Sequence, residues 1–323
     1  MAKQRAVLLV NLGTPEQPSK QGVRSFLREF LSDRRVVDIT RVLWLPLLYL
    51  IILPVRSARV ARLYKKIWLA EGAPLRFYTR SLSKKLAAQL DNENIHVDYA
   101  MTYGQPSIAA KIQQLTDQGI NDLTLLPLYP QYSVSTTAPV FDQFSDAVKK
   151  QFNFPALKFI HDYHDHPLYI AALVNSVKQF WQEHGQSECL IFSFHGIPKR
   201  YVTLGDVYQA QCERTVQLVV EQLGLGKQQY RLCYQSRVGR EEWLMPYLDK
   251  TLMEMAKNGE RGVDIISPAF ACDCLETLQE LDIENRALFL NSGGKQYRYI
   301  PCLNDSQMQV ELLAALATGD YNV

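Results

Sequence analysis

Residues 190–198 read LIFSFHGIP. A short apolar run, 190–194, ends in His195; the glycine that follows frees the backbone and Pro198 fixes the turn. Such a run bounded by turn residues is the mark of a strand buried on both faces. Six similar runs stand at 7–10, 97–101, 123–128, 157–160, 230–234 and 263–266. Between them lie helical patterns at Ile108, Ile112 and Leu115 and over 167–183, 207–223, 243–257 and 305–317. Strand and helix alternating along a chain predict an α/β fold with parallel sheets and right-handed crossovers. Ligands in such folds bind outside the carboxyl ends of the strands, which is where His195 falls. A histidine there can bind a metal or take a proton near neutral pH; a loop histidine satisfied by its neighbours is the alternative.

The chain has 323 residues, a length that suits two domains, and its 47% hydrophobic and 21% charged content excludes disordered and fibrous classes. The net charge is only +2, so no nucleic-acid partner is expected. The charge is uneven: between Lys20 and Lys66 eleven Lys or Arg face only Glu29, Asp33 and Asp38. Inside that basic stretch, part of a strand-poor insertion over 20–90, runs LWLPLLYLIILPV at 43–55. Thirteen uncharged residues punctuated by Pro46 and Pro54 fall short of the roughly 20 that a spanning helix needs. They form either a buried helix or an exposed apolar lip that touches a membrane surface or a flat apolar ligand. The N-terminus has no signal-peptide core, so a cytoplasmic protein is expected. The six cysteines show no C-x-x-C pairing and are expected to be reduced core residues.

Several motifs fail. Gly224 and Gly226 lack the third glycine of a dinucleotide fingerprint, Lys295 is followed by Gln296 where a phosphate loop needs Ser or Thr, and no G-x-S-x-G occurs. The segment 161–167, HDYHDHP, is rich in metal-type residues, but Asp165 and Pro167 fit a helix start. After the strand at 263–267, the segment PAFACDCLETLQELDIE sets Glu276, Glu280 and Glu284 four residues apart, with Asp273 just before them. Like charges about 6 Å apart at an effective dielectric near 20 cost about 3 kcal/mol, so a buried row invites a cation or a proton, and an exposed row is merely solvated. An ideal α-helix turns such a row by about 40° per step, and a π-bulge would straighten it. Cys272 and Cys274 beside it are a weak soft-ligand signal. The segment 126–139, LPLYPQYSVSTTAP, offers Tyr129, Tyr132 and several hydroxyls to a flat ligand.

These segments resemble the ferrochelatase family, which inserts ferrous iron into a porphyrin. The resemblance runs through NLGTP at 11–15, the runs over 26–39, YKKIW at 64–68, TYGQPSI at 102–108, LPLYPQYSVSTT at 126–137, FSFHGIPKRYV at 192–202, YQSRVGREEWL at 234–244 and SPAFACDCLETL at 267–278. It implies two Rossmann-like halves, class II chelatase-like, with parallel sheets and flanking helices around a porphyrin cleft. The expected halves are 1–155 plus 303–323, with the lip insertion, and 156–302, with the metal residues. It implies that His195 and Glu276 are catalytic and bind the metal, and that Asp273, Glu280 and Glu284 form a secondary metal or proton path. Tyr103, Tyr129, Ser133, Trp243 and Phe270 are then porphyrin contacts. The expected partners are porphyrin and Fe(II), with peripheral membrane contact through 43–55 at the inner face of the membrane.

No cofactor is expected to be held permanently. Relatives that carry a [2Fe-2S] cluster have a cysteine where Val134 stands and three more in a C-terminal extension, whereas this sequence stops at Val323. No cluster is therefore expected. Cys274 stands where several relatives have histidine, and Leu12 where others have tyrosine or methionine, so no contact is assigned to either. The motifs fix the chemistry more firmly than the ring substituents. A chelatase for coproporphyrin or another tetrapyrrole, or a porphyrin or haem carrier without turnover, are the alternatives.

Overall fold

The computed structural model describes residues 4–239 and 241–319. Arg240, inside the 234–244 motif, and residues 1–3 and 320–323, the ends of the first expected half, lie outside the described residues. The chain divides into two units. The first holds β1 (Arg5–Gly13), α1 (Lys20–Ser32), α2 (Arg41–Leu47), α3 (Leu53–Ile67), α4 (Pro74–Gln89), β2 (Ile95–Tyr103), α5 (Ile108–Asp117), β3 (Asp122–Pro127), α6 (Thr137–Val148) and β4 (Ala156–Phe159). The second holds α7 (Pro167–His184), β5 (Cys189–His195), α8 (Lys199–Thr203), α9 (Tyr208–Leu223), β6 (Tyr230–Gln235), α10 (Leu248–Lys257), β7 (Gly262–Ile266), a π-helix over Glu276–Asn285, α11 (Arg286–Asn291) and β8 (Gln296–Tyr299). The last helix, α12 (Gln307–Thr318), belongs to the first unit again.

Each unit is built on one four-stranded parallel sheet, ordered β2-β1-β3-β4 in the first and β6-β5-β7-β8 in the second. Seven of the eight strands follow from the apolar runs. The eighth, β8, has no such run: its QYRY alternates exposed and buried at the sheet edge, so only Tyr297 and Tyr299 signal it. The boundary between units also moves. Leu123 pairs with Leu157 and Leu125 with Phe159, so β4 completes the first sheet and the division falls after Asp162 instead of at 155, while Pro130–Tyr132 goes with the second unit. Within the first unit, Ser81 Oγ donates to Asp305 Oδ2 at 2.6 Å and Lys158 Nζ to the Leu316 carbonyl at 2.8 Å, tying both ends of α12.

The helix expected over 243–257 starts only at Leu248. Residues 243–247 form a bent connection with a bridge at each end: Leu244 N–H donates to the Ile197 carbonyl at 3.0 Å and Tyr234 N–H to the Pro246 carbonyl at 2.8 Å. The prolines of the apolar stretch do not break it. A single 27-residue helix, Arg41–Ile67, runs through them and is long and apolar enough by length and composition to cross a membrane. Its turn over Leu48–Ile52 is π-helical, with Leu53 N–H bonded to the Leu48 carbonyl. That wider turn lies just ahead of Pro54, whose ring would clash with the carbonyl four residues back in an α-helix. Trp44, Leu48 and Leu53 are buried in a cluster with Leu27 and Leu31 of α1 and its end. Val42, Leu43, Leu50 and Val55 are at least 69% exposed. The two expected readings, a buried helix and an exposed apolar lip, each describe one face of it: one is packed and the other open.

The second unit buries the Asp264 carboxylate completely. Asp264 on β7 accepts from Arg298 Nε at 2.7 Å and Nη2 at 2.9 Å and from Trp181 Nε1 at 2.7 Å. Breaking a buried pair by removing one partner costs about 3–5 kcal/mol, because the other charge is left uncompensated. Arg298→Leu is therefore expected to lower stability by about that amount in urea unfolding. A loss under about 1 kcal/mol would show that this ion pair does not hold β7, β8 and α7 together.

Candidate active site

In a parallel sheet the crevice opens where neighbouring connections leave a strand in opposite directions. In the second sheet that strand is β5, flanked by β6 and β7, and its last residue is His195. The six residues before it are buried and His195 is half-buried. His195 Nδ1 lies 2.7 Å from the Gly196 carbonyl. A carbonyl only accepts, so Nδ1 carries the hydrogen and the neutral ring keeps its lone pair on Nε2. Gly196 is required by close approach: a Cβ there would lie 2.9 Å from the Gln235 carbonyl and 3.2 Å from Trp243 Cε3. Trp243 is half-buried beneath this turn, and among the described residues its Nε1 has no hydrogen-bond partner. The Phe270 ring stands 6.5 Å from the His195 ring, tilted by 57°.

The carboxylates come from the π-helix. Glu276 is its first residue and is half-buried, as is Glu280, whereas Glu284 is exposed. Burial holds the Glu280 carboxyl above its ordinary range; a hydrogen bond from the Ser236 hydroxyl and the field of His195 pull it down, and the Glu276 charge pushes it up. His195, Glu276 and Glu280 thus share one neighbourhood. The helix is π throughout, so groups five residues apart meet: Gln279 Nε2 donates to Glu284 Oε1 at 3.2 Å and Asn285 Nδ2 to the Glu280 carbonyl at 3.0 Å. The straight row of three expected from four-residue spacing does not form.

Asp273 does not join the path expected of it. It is buried, and its two oxygens are occupied: Oδ1 accepts from Tyr299 OH at 2.7 Å and Thr277 Oγ1 at 3.0 Å, and Oδ2 from Asn304 Nδ2 at 2.7 Å. Its carboxylate anchors the start of the π-helix to β8. Cys272, Cys274 and Cys302 are buried in the same part of the chain, and burial raises the Cys274 and Cys302 thiols well above their ordinary values. Among the described residues no group of three or more His, Cys, Asp or Glu could cage a metal ion. An open set suits a metal in transit, and a closed one a resident metal. In 161–167 the cap of α7 is His166, not Asp165; its Nδ1 accepts from Leu168 N–H at 3.2 Å.

Tyr103 is buried at the end of β2, with its hydroxyl donating to Asp33 Oδ2 at 2.9 Å and its ring edge-on to Phe30 at 5.2 Å. Burial, then the Asp33 charge, pushes its phenol far above the ordinary value. Tyr129 belongs to the hydrophobic core of the first sheet. Ser133 is buried in the turn before α6, its Oγ 3.0 Å from Ser135 Oγ. These three support the carboxyl edge of that sheet and do not lie open on it. Three residues that the sequence reading did not single out surround the His195 and Glu276 positions: Ser193, Gln235 and Ser236. The available signal was a polar pair, Gln235 and Ser236, closing the apolar strand next to β5.

Comparison with known proteins agrees with this geometry. A model of the Ferrochelatase family matches residues 4–320. The chain is 51% identical over 312 residues to a protein of Vibrio parahaemolyticus serotype O3:K6 named Ferrochelatase, covering 97% of each chain. It is 50% identical over 318 residues to one of Vibrio cholerae serotype O1 with the same name, covering 98% of each. Among solved structures, SirB from Bacillus subtilis with Fe3+ shares the fold at TM-score 0.56 and 11% identity, over 98% of this chain and 95% of that one. CbiX, described as the terminal enzyme for biosynthesis of sirohaem in denitrifying bacteria, does so at TM-score 0.53 and 12% identity, over 98% and 99%. The match spans nearly the whole sequence and includes both the histidine turn and the acidic π-helix, and the chain belongs to the ferrochelatase family.

Proposed function

We propose that the protein inserts Fe(II) into protoporphyrin IX, the last step of haem biosynthesis, giving protohaem and two protons. The observation that carries this is the meeting of a half-buried imidazole, its lone pair on Nε2, with two half-buried carboxylates at the open end of β5. His195 Nε2 and Glu276 take the places of waters around the incoming iron. The two pyrrole N–H bonds break, each nitrogen keeping the electron pair that it gives to iron; His195 Nε2, released as the iron passes to the ring, takes one proton and the acidic side chains beside it take the other. Glu280, whose carboxyl burial raises, holds a proton more readily than a solvated carboxylate and passes it toward exposed Glu284. Phe270 and Trp243 give the ring aromatic faces beside the imidazole, and within the first unit Tyr103, Tyr129 and Ser133 support the carboxyl edge of its own sheet. Fe(II) is substrate, and Val134 in place of a ligating cysteine argues for a protein without a cluster.

We also propose that the open face of Arg41–Ile67 rests on the cytoplasmic surface of an anionic membrane. Val42, Leu43, Leu50 and Val55 would enter the headgroup boundary, and exposed Arg56, Arg59, Arg62, Lys65 and Lys66 would meet lipid phosphates. A spanning helix would place Arg56, Arg59 and Arg62 in hydrocarbon, and the opposite face already packs on α1.

Three outcomes test these readings. Metal insertion measured anaerobically with Fe(II), and in parallel with Zn(II), should fall at least about 100-fold in His195→Ala and Glu276→Gln, as loss of a general base with its metal ligand requires; retained turnover would remove both from the centre. For Glu280 the sign is set by its raised carboxyl: the folded wild type loses stability as pH rises from the ordinary carboxylate range through the higher folded value. Glu280→Gln should therefore melt about 2–4 °C higher than wild type near pH 7.5, the size of a change of about 1 kcal/mol. That gain should vanish by about pH 4, near the ordinary carboxylate value, and an equal gain at both pH values would refute the burial argument. Vesicles containing phosphatidylglycerol should sediment the protein, and Leu43→Glu with Leu50→Glu, or about 0.5 M salt, should release it. Equal sedimentation of wild type and the double variant would reject the membrane face.

A further inference from the structure

Gln235, the last residue of β6, pairs in parallel register with His195. It is 4% exposed, and both ends of its amide are engaged. Ser193 Oγ donates to its Oε1 at 2.7 Å, and its Nε2 donates to the Glu276 carbonyl at 3.2 Å. The amide can sit only this way round, because the Glu276 carbonyl cannot donate and must face the N–H end. The backbone carbonyl of Gln235 accepts from Gly196 N–H at 2.8 Å. One residue therefore grips the chain two positions before His195 and one position after it, and also holds the backbone of Glu276. The Ser193 carbonyl accepts in turn from Ser267 Oγ at 2.8 Å, which closes the relay on the far side at the end of β7. The next residue repeats the arrangement: Ser236 takes a left-handed backbone, φ 65°, and its hydroxyl donates to Glu280.

A buried amide is desolvated at a cost, and an apolar side chain of the same length would fill the space between β5, β6 and the π-helix. The amide adds what packing cannot: two directional bonds that set the distance between one backbone and the other. We propose that Gln235 is a positioning residue that fixes the separation of His195 and Glu276 through the relay Ser193–Gln235–Glu276. The proposal rests on the reading of His195 and Glu276 as the reacting pair. Without the relay the protein still folds and binds porphyrin, but iron and ring meet a misplaced ligand set. A displacement of about 1 Å in such a set is enough to cost on the order of 100-fold in rate.

The test uses the full chain and Zn(II) insertion followed by porphyrin fluorescence, with thermal melting as the check on folding. Gln235→Met should lower kcat about 10- to 100-fold while the porphyrin KM stays within about twofold. Gln235→Glu keeps the acceptor for Ser193 and loses the donor to Glu276, and it should fall in the same range; it carries the test alone if the Met variant fails to fold. Ser193→Ala should cost about 3- to 10-fold by itself and nothing further when added to Gln235→Met, as members of one chain of contacts do. A folded Gln235 variant with kcat within about twofold of wild type, or additive losses in the double variant, would overturn the relay. His195→Ala is run beside them. If it is inactive while the Gln235 variants are fully active, only the relay falls; if it keeps turnover, the reading of the pair falls and takes the relay with it.

Discussion

The chemistry of this protein depends on where a parallel sheet is forced to open. Because β6 and β7 both pair with β5 and their connections leave it on opposite sides, no crossover covers the carboxyl end of β5. The strand delivers His195 to that gap by the same run of apolar residues that buries Cys189 to Phe194. The half-buried state of the imidazole, its tautomer and its nearness to the acidic helix all follow from this placement. The Gly196 turn lets the backbone approach Gln235 and the Trp243 ring so closely that any side chain would collide. A rigid apolar strand thus ends, within two residues, in a polar site whose parts cannot drift.

Opposing terms meet at the π-helix. Half-burying two carboxylates near one another is unfavourable, and a soluble helix face would spread them into water. Here the cost is offset by local bonds, not by a counter-charge of the same size. Asp273 gathers Tyr299, Thr277 and Asn304 at the start of the helix, Gln235 holds the Glu276 carbonyl, and Ser236 holds Glu280. Each of these is a directional bond to a buried group and is expensive to leave unmade. The acidic helix is therefore supported from its first turn, where the carboxylates nearest His195 stand.

The alternating apolar runs made the α/β class and seven strands legible, because a strand buried on both faces must be apolar along its length. The limit of that signal is visible at β8, an edge strand whose tyrosines are buried but whose other two residues are an exposed Gln296 and an Arg298 that reaches Asp264. The resemblance singled out His195 and Glu276, but spacing alone could not say which neighbours share their burial. Glu276, Glu280 and Glu284 look equivalent in the sequence and are not in the fold. Asp273 looks like one more carboxylate and is a saturated anchor. Tyr103 and Tyr129 look like ligand-facing rings and are core residues with placed hydroxyls or packed faces. In each case the missing information was long-range: Asp33, Asn304 and Tyr299 lie tens of residues away, and no local pattern names them. Pro54 shows the same limit in backbone terms, since the π turn that accommodates it depends on packing against α1.

The widened helix also explains why the three glutamates divide as they do. In a ladder of i to i+5 bonds the residues that stack are five apart, as Gln279 with Glu284 and Asn285 with the Glu280 carbonyl show. A four-residue step then falls short of a full turn, whereas in an α-helix it overshoots. Glu276 and Glu280 stay toward the end of β6, and Glu284 is carried round into water. The result is a descent from half-buried to solvated carboxylate within one short helix. Under the proposed function, Glu280 is the member of the pair that burial disposes to hold a proton, and the exposed Glu284 is the one in contact with the water that finally takes it.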